Sequence, residues 1–146
     1  MPRRIRPLLA LAVAFVVLGF VSASIASEAT FKIIVHPDNP SDSVSRDFLR
    51  DAFLKKEVEW HGDTLLPIDL SSKSAVRERF TKEVLRKSPA QLRTYWAQQV
   101  FSGRGVPPPA FASPADVVKY VLAHPGAVGY VPIDVDPGKA KVIPIR

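Results

Sequence analysis

Apolar positions along the chain fall into short blocks whose spacing switches between strand-like and helix-like. The block FKIIVH, Phe31 to His36, is β-branched and apolar, and the cluster Pro37-Asp38-Asn39-Pro40 stops it, so it reads as a first strand. Ser43 or Ser45 then caps a helix that carries Val44, Phe48, Leu49, Ala52 and Phe53 on one stripe and ends near Leu54. After a polar link with Trp60 and the turn pair Gly62-Asp63, Leu65 to Leu70 forms a second strand, and Pro67 inside it predicts an edge position or a bulge. A helix opens at Ser71-Ser72-Lys73-Ser74 and repeats Val76, Phe80 and Val84 every four residues. Ser88, Pro89 and Gln91 make the start signal of another, with Leu92, Tyr95, Trp96, Gln99 and Val100 facing inward. The stretch SGRGVPPP, Ser102 to Pro109, is too rich in glycine and proline to be either element.

Ser113-Pro114 repeats the capping signal for a last helix bearing Val117, Val118, Val121 and Leu122, followed by strands at Ala127 to Val131 and Lys141 to Ile145. Two glycines punctuate this region. Gly126 stands where a helix ends in a left-handed residue. Gly129 lies inside a strand, where glycine marks the close approach of a ligand or of another segment. Strands separated by helices need crossover connections, so the fold class is α/β with a largely parallel sheet flanked by helices.

The N-terminal segment does not belong to this pattern. Arg3, Arg4 and Arg6 precede an apolar run from Leu8 to Val21, and small residues follow, with Ser24 and Ala26 spaced for signal peptidase. Residues 1–26 therefore read as a signal peptide and 27–146 as the domain. The run of about fourteen residues rises roughly 21 Å as a helix, short of a ~30 Å hydrocarbon core, so no stable membrane anchor is expected after cleavage. Without the three leader arginines the formal charge falls from +6 to +3. That excess is too small and too scattered for a nucleic-acid stripe. Cysteine is absent, which excludes a disulfide framework, a thiolate metal site and a lipidated cysteine tether.

Candidate chemistry concentrates at the strand end that runs into the helix start, Asp69 to Arg77. Unpaired backbone N–H groups and the helix dipole favour an anion there, and Ser72, Lys73, Ser74 and Arg77 supply further donors. The same stretch also reads as an ordinary serine-capped helix with a solvated lysine. Arg46, in the first turn of the preceding helix, and Arg104, between two glycines, are helper cations for the same cleft or plain surface arginines. His36, His61 and His124 lie far apart in different loops, so neither metal nor other cofactor is expected. No G-x-S-x-G elbow and no cysteine nucleophile occur, and the chain reads as a non-enzyme. Tyr95, Trp96 and Trp60 belong to the core or its rim, or line a cleft.

The order of FLKK at 53–56, Trp60 before a Gly-Asp turn, a strand, a serine-bearing helix start with RERF, then HPGAVGYV resembles the second half of the phosphate-binding proteins of bacterial ABC transporters. These belong to the type 2 periplasmic-binding superfamily, and the resemblance covers most of residues 31–132. It implies one periplasmic-binding-protein-like lobe, with the glycine-rich segment returning the chain from the last helix to the sheet. The family holds phosphate partly at a helix start of the form Asp-Gly-Ser-Gly-Thr. Aligned through Phe80, Ser74 matches that serine, while Ser72 stands for the acid, Lys73 and Ala75 for the glycines and Val76 for the threonine.

Family members enclose the ligand between two lobes, and the residues here make about one. A half-site keeps fewer donors and leaves the anion hydrated, which implies millimolar affinity from a monomer and tighter binding if two copies face each other. The resemblance thus implies an exported, soluble, solute-binding-like protein of the periplasm, with phosphate or a similar small oxyanion as partner. The alternative is an interaction module that keeps the fold without the ligand, docking an envelope protein or forming a homodimer.

Overall fold

The computed structural model describes residues 30–146, so the leader assigned to residues 1–26 lies outside the described residues. Five strands form one sheet: β1 (Phe31–Val35), β4 (Leu66–Leu70), β5 (Ala110–Phe111), β6 (Ala127–Pro132) and β7 (Lys141–Ile143), in the spatial order β5-β4-β6-β1-β7. A separate two-stranded ribbon is made by β2 (Glu59–Trp60) and β3 (Asp63–Thr64). β4 runs parallel to both β5 and β6, and β1 runs antiparallel to both β6 and β7. Four strands therefore point one way and β1 alone is reversed. The central strands are buried on both faces, as continuous apolar runs such as Ile33-Ile34-Val35 require.

The helices are α1 (Arg46–Phe53), α2 (Ala75–Glu83), α3 (Pro89–Phe101) and α4 (Pro114–Ala123). Each begins at a serine whose side chain accepts a backbone N–H of the first turn: Ser45, Ser74, Ser88 and Ser113. Ser88 and Gln91 complete a reciprocal capping box. Of the two caps open for α1, Ser45 serves, and Val44 sits before the helix in a parallel bridge to Ile145. α2 begins at residue 75 rather than in the serine run, because Ser71 to Ser74 form a turn closed by the Ser74 N–H on the Ser71 carbonyl. In α3 only Leu92 and Trp96 are buried, and Val100, placed inward by its spacing, is exposed.

The pleat of β6 sorts these helices onto two faces. Gly129 faces α4, where a Cβ would come within 2.8 Å of Val117 Cγ1. Tyr130 faces the other way and stacks on Phe80 of α2 with ring centroids 3.9 Å apart, with Phe53 of α1 beside both. The close approach expected at Gly129 is thus the valine stripe of α4. Gly126 differs from expectation. The helix ends at His124 in an extended conformation, and Gly126 has no positive φ. It is glycine because a Cβ would lie 2.0 Å from the Thr64 carbonyl oxygen, where β3 passes on its way to the Leu66 N–H bond with the Gly126 carbonyl.

Pro67 is likewise accommodated in a way the sequence did not indicate. β4 is an interior strand, flanked by β5 and β6. The N–H groups of Asp69 and Ser71 bond Pro109 and Phe111 on the β5 side, so by strand alternation the Pro67 nitrogen also faces that side, before β5 begins. The missing donor leaves no acceptor stranded. β5 itself, two residues long and directly after the proline run, carries too little apolar pattern to be read from sequence.

Alanine at either buried glycine is expected to destabilise the fold, and unequally. Gly129→Ala pushes against a valine side chain that can shift, for about 1–3 kcal/mol, whereas Gly126→Ala meets a fixed backbone carbonyl and loses more. Urea unfolding of both variants checks the order.

Candidate functional site

The pleat of β4 turns its penultimate residue, a carboxylate, into the interior. Asp69 is 5% exposed, and its side chain points into the α1–α2 face of the sheet beside Tyr130. Burying a charge demands donors, and three are supplied. The Tyr130 hydroxyl donates to Oδ1, the Leu70 N–H donates to the same oxygen at 2.9 Å, and Arg77 Nη2 lies 3.1 Å from Oδ2. Burial pushes the Asp69 carboxyl above its ordinary value, and the Arg77 charge and these hydrogen bonds offset it only in part. Burial and the neighbouring carboxylate push the Tyr130 phenol up as well, which keeps it protonated and a donor.

Beyond Asp69 the chain turns and α2 starts. Ser74 is the N-cap, its Oγ accepting the Arg77 N–H at 3.4 Å, and Ser71 Oγ accepts the Lys73 N–H at 3.3 Å. The backbone N–H groups of Ala75 and Val76 make no hydrogen bond among the described residues. Ser72 and Lys73 are exposed beside them. A groove of about 400 Å³ opens here between the starts of α2 and α3, its walls including Ser72, Arg77, Glu78, Leu92, Arg93 and Trp96.

The structure brings Ser72, Lys73, Ser74 and Arg77 to one helix start and leaves the two remaining candidates elsewhere. Arg46 donates to the Glu83 carbonyl at 2.9 Å, at the far end of α2, roughly 12 Å along the helix axis. There it borders a larger groove of about 830 Å³ over β1 and β7, with Lys32, Arg86, Ile133 and Val142. Arg104 is exposed in the loop after α3, outside the lining of either groove. Arg93 is a lining cation that the sequence reading missed. It lies off the inward stripe of α3, and only the docking of α3 against α2 brings it to the site.

Of the aromatic residues left open by sequence, Trp60 packs on Phe48 and the Tyr95 hydroxyl donates to the Leu54 carbonyl at 2.8 Å, whereas Trp96 lines the groove. Among the described residues no group of three or more His, Asp or Glu side chains is placed to hold a metal ion.

No family model and no curated protein matches the sequence. Solved structures do match in fold. An ABC-type phosphate transport receptor from Vibrio cholerae superposes with a TM-score of 0.61 at 17% identity, over 80% of this chain and 46% of that one. A putative phosphate ABC transporter substrate-binding protein from Clostridium perfringens, solved with bound phosphate, gives 0.60 at 16% identity, over 80% and 44%. PstS from Borrelia burgdorferi gives 0.60 at 10% identity, over 80% and 47%. The class is therefore a periplasmic-binding-protein-like α/β lobe, the fold that the sequence resemblance implies. The chain spans about half the length of the structures it matches.

The raised Asp69 pKa has a measurable sign. Between the unfolded value of 3.8 and the higher folded value the native state binds more protons, so stability rises as the pH falls through that window. Against Asp69→Asn, which cannot titrate, the wild-type Tm should gain as the pH falls through that window toward 3.8; parallel Tm curves would contradict the assignment.

Proposed function

We propose that this chain is an exported, non-enzymatic, solute-binding module of the periplasm that takes phosphate or a similar small oxyanion weakly at the start of α2. The supporting observation is the pair of free N–H groups at Ala75 and Val76, flanked by Ser72, Lys73 and the Ser74 cap, on a lobe whose fold neighbours are described as phosphate receptors. Helix dipole and amide donors favour negative charge there. Ser72, Lys73 and Ser74 supply the nearest side chains, and Arg77 and Arg93 extend the positive wall of the groove. Arg46 and Arg104 stand apart from this site and have no direct part in it. Export rests on residues 1–26. Among the described residues no helix is long and apolar enough to cross a membrane.

A second reading, an envelope interaction module or homodimer, is favoured by the groove over β1 and β7. Ile133 and Val142 are 51% and 45% exposed there on a floor of Phe31, Ile33 and Ile143. Light scattering of the wild type and of Ile133→Asp reads self-association through that face.

The oxyanion reading is tested by following the amide resonances of residues 72–77 during titration with phosphate and with sulfate. Saturable shifts in the millimolar range are expected. Ser74→Asp keeps a good cap while placing a like charge at the helix start, and should abolish them without lowering the Tm. Shifts that are absent in the wild type up to tens of millimolar, or that persist in Ser74→Asp, would reject the reading.

A further inference from the structure

Building on that oxyanion reading, we propose that Asp69 is an internal counter-ion which occupies Arg77 and holds the α2 groove in a low-affinity state. Arg77 is the hinge of the argument. Its guanidinium is 3.1 Å from Asp69 Oδ2 on one side, and its side chain, 20% exposed, lines the groove on the other. One cation thus stands between a buried carboxylate of the protein and the space open to a solute anion.

The balance of charge around the groove makes Asp69 decisive. Arg77 and Arg93 line it with Glu78, whose carboxylate is held by Lys82 at 2.7 Å. With Asp69 directly behind Arg77 and Glu78 paired to Lys82, Arg93 is the one lining cation without an acid partner among the described residues. Neutralising Asp69 adds the released charge of Arg77 to that of Arg93 on the groove wall. Lys73 is exposed in either case.

Asp69 is also a strong competitor by construction. It is tethered, so pairing with Arg77 involves no loss of translational freedom, whereas an anion from solution must give that freedom up. Nor does Asp69 depend on Arg77 alone. Oδ1 is served by the Tyr130 hydroxyl and the Leu70 N–H, so an uncharged residue at 69 still finds a donor there. The charge can be removed while one part of the network stays, which separates its effect on anions from its effect on folding.

The test titrates sulfate and phosphate into the wild-type chain, Asp69→Asn, Arg77→Gln and the double variant. Amide shifts of residues 72–77 are read at pH 7 and low ionic strength, against matched chloride, with a Tm for each protein. Asp69→Asn should bind about tenfold more tightly, because a like charge a few ångströms from the ligand is gone and a guanidinium is released to it. The gain should vanish in the double variant. A pair that only supports the fold would lower the Tm and leave anion affinity unchanged. Asp69→Ser, neutral and smaller, takes the place of Asn if that variant fails to fold.

Folded Asp69→Asn or Asp69→Ser with wild-type affinity overturns the counter-ion proposal and leaves the oxyanion reading standing. A gain that survives loss of Arg77 overturns it too. A silent wild type beside a binding Asp69→Asn rejects oxyanion binding by the native chain and supports the lock. Silence in both rejects both.

Discussion

The requirement that a carboxylate buried at the end of β4 be surrounded by donors organises this end of the molecule. Asp69 cannot be satisfied by its own strand alone. Its second donor comes from β6, 61 residues away, through the Tyr130 hydroxyl, and its third from α2 through Arg77. The ties run in three directions and set the position of strand, neighbouring strand and helix relative to one another. Leaving any of these groups unpaired would cost about 1–3 kcal/mol, more for the charge. Tyr130 meets a second demand at the same time, its ring lying flat against Phe80 while its hydroxyl reaches Asp69. Such stacking adds roughly 0.5–1.5 kcal/mol beyond burial.

Register makes this arrangement all-or-none. Gly129 and Tyr130 are adjacent in β6 and face opposite ways, one toward the valines of α4 and the other toward the aromatic cluster of α1 and α2. A slip by one residue would drive the phenol into Val117 and leave Asp69 without its partner. The smallest and one of the largest residues of the strand thus fix its placement more sharply than the surrounding valines do. The site at the head of α2 inherits that precision, because Arg77 is positioned by the carboxylate that Tyr130 holds.

Local chemistry was legible in the sequence and long-range chemistry was not. Serine at the head of each helix, proline behind Ser88 and Ser113, and apolar four-residue spacing were enough to locate α1 to α4 and the main strands, since those signals act within one turn. Gly126 was misread because its constraint comes from Thr64, in a ribbon too polar to attract notice. Asp69 looked like one more acid at a strand end. Its role depends on a tyrosine that local patterning placed in a strand without singling it out. Arg46 and Arg104, open to either reading as helpers or plain surface cations, lie outside the groove lining, whereas Arg93 reaches the groove through a helix–helix contact that no periodicity of α3 alone reveals.

Proline at position 67 has a meaning beyond the sheet's own bonding. On the β5 side the ladder of β4 is confined to Asp69 and Leu70, and Pro67 and Ile68 are buried just ahead of it. A ring without an N–H asks nothing of the segment packed beside it, so β5 can be as short as two residues without orphaning a buried donor at that point. The residue that looked like a flaw in a strand is what permits so brief a neighbour.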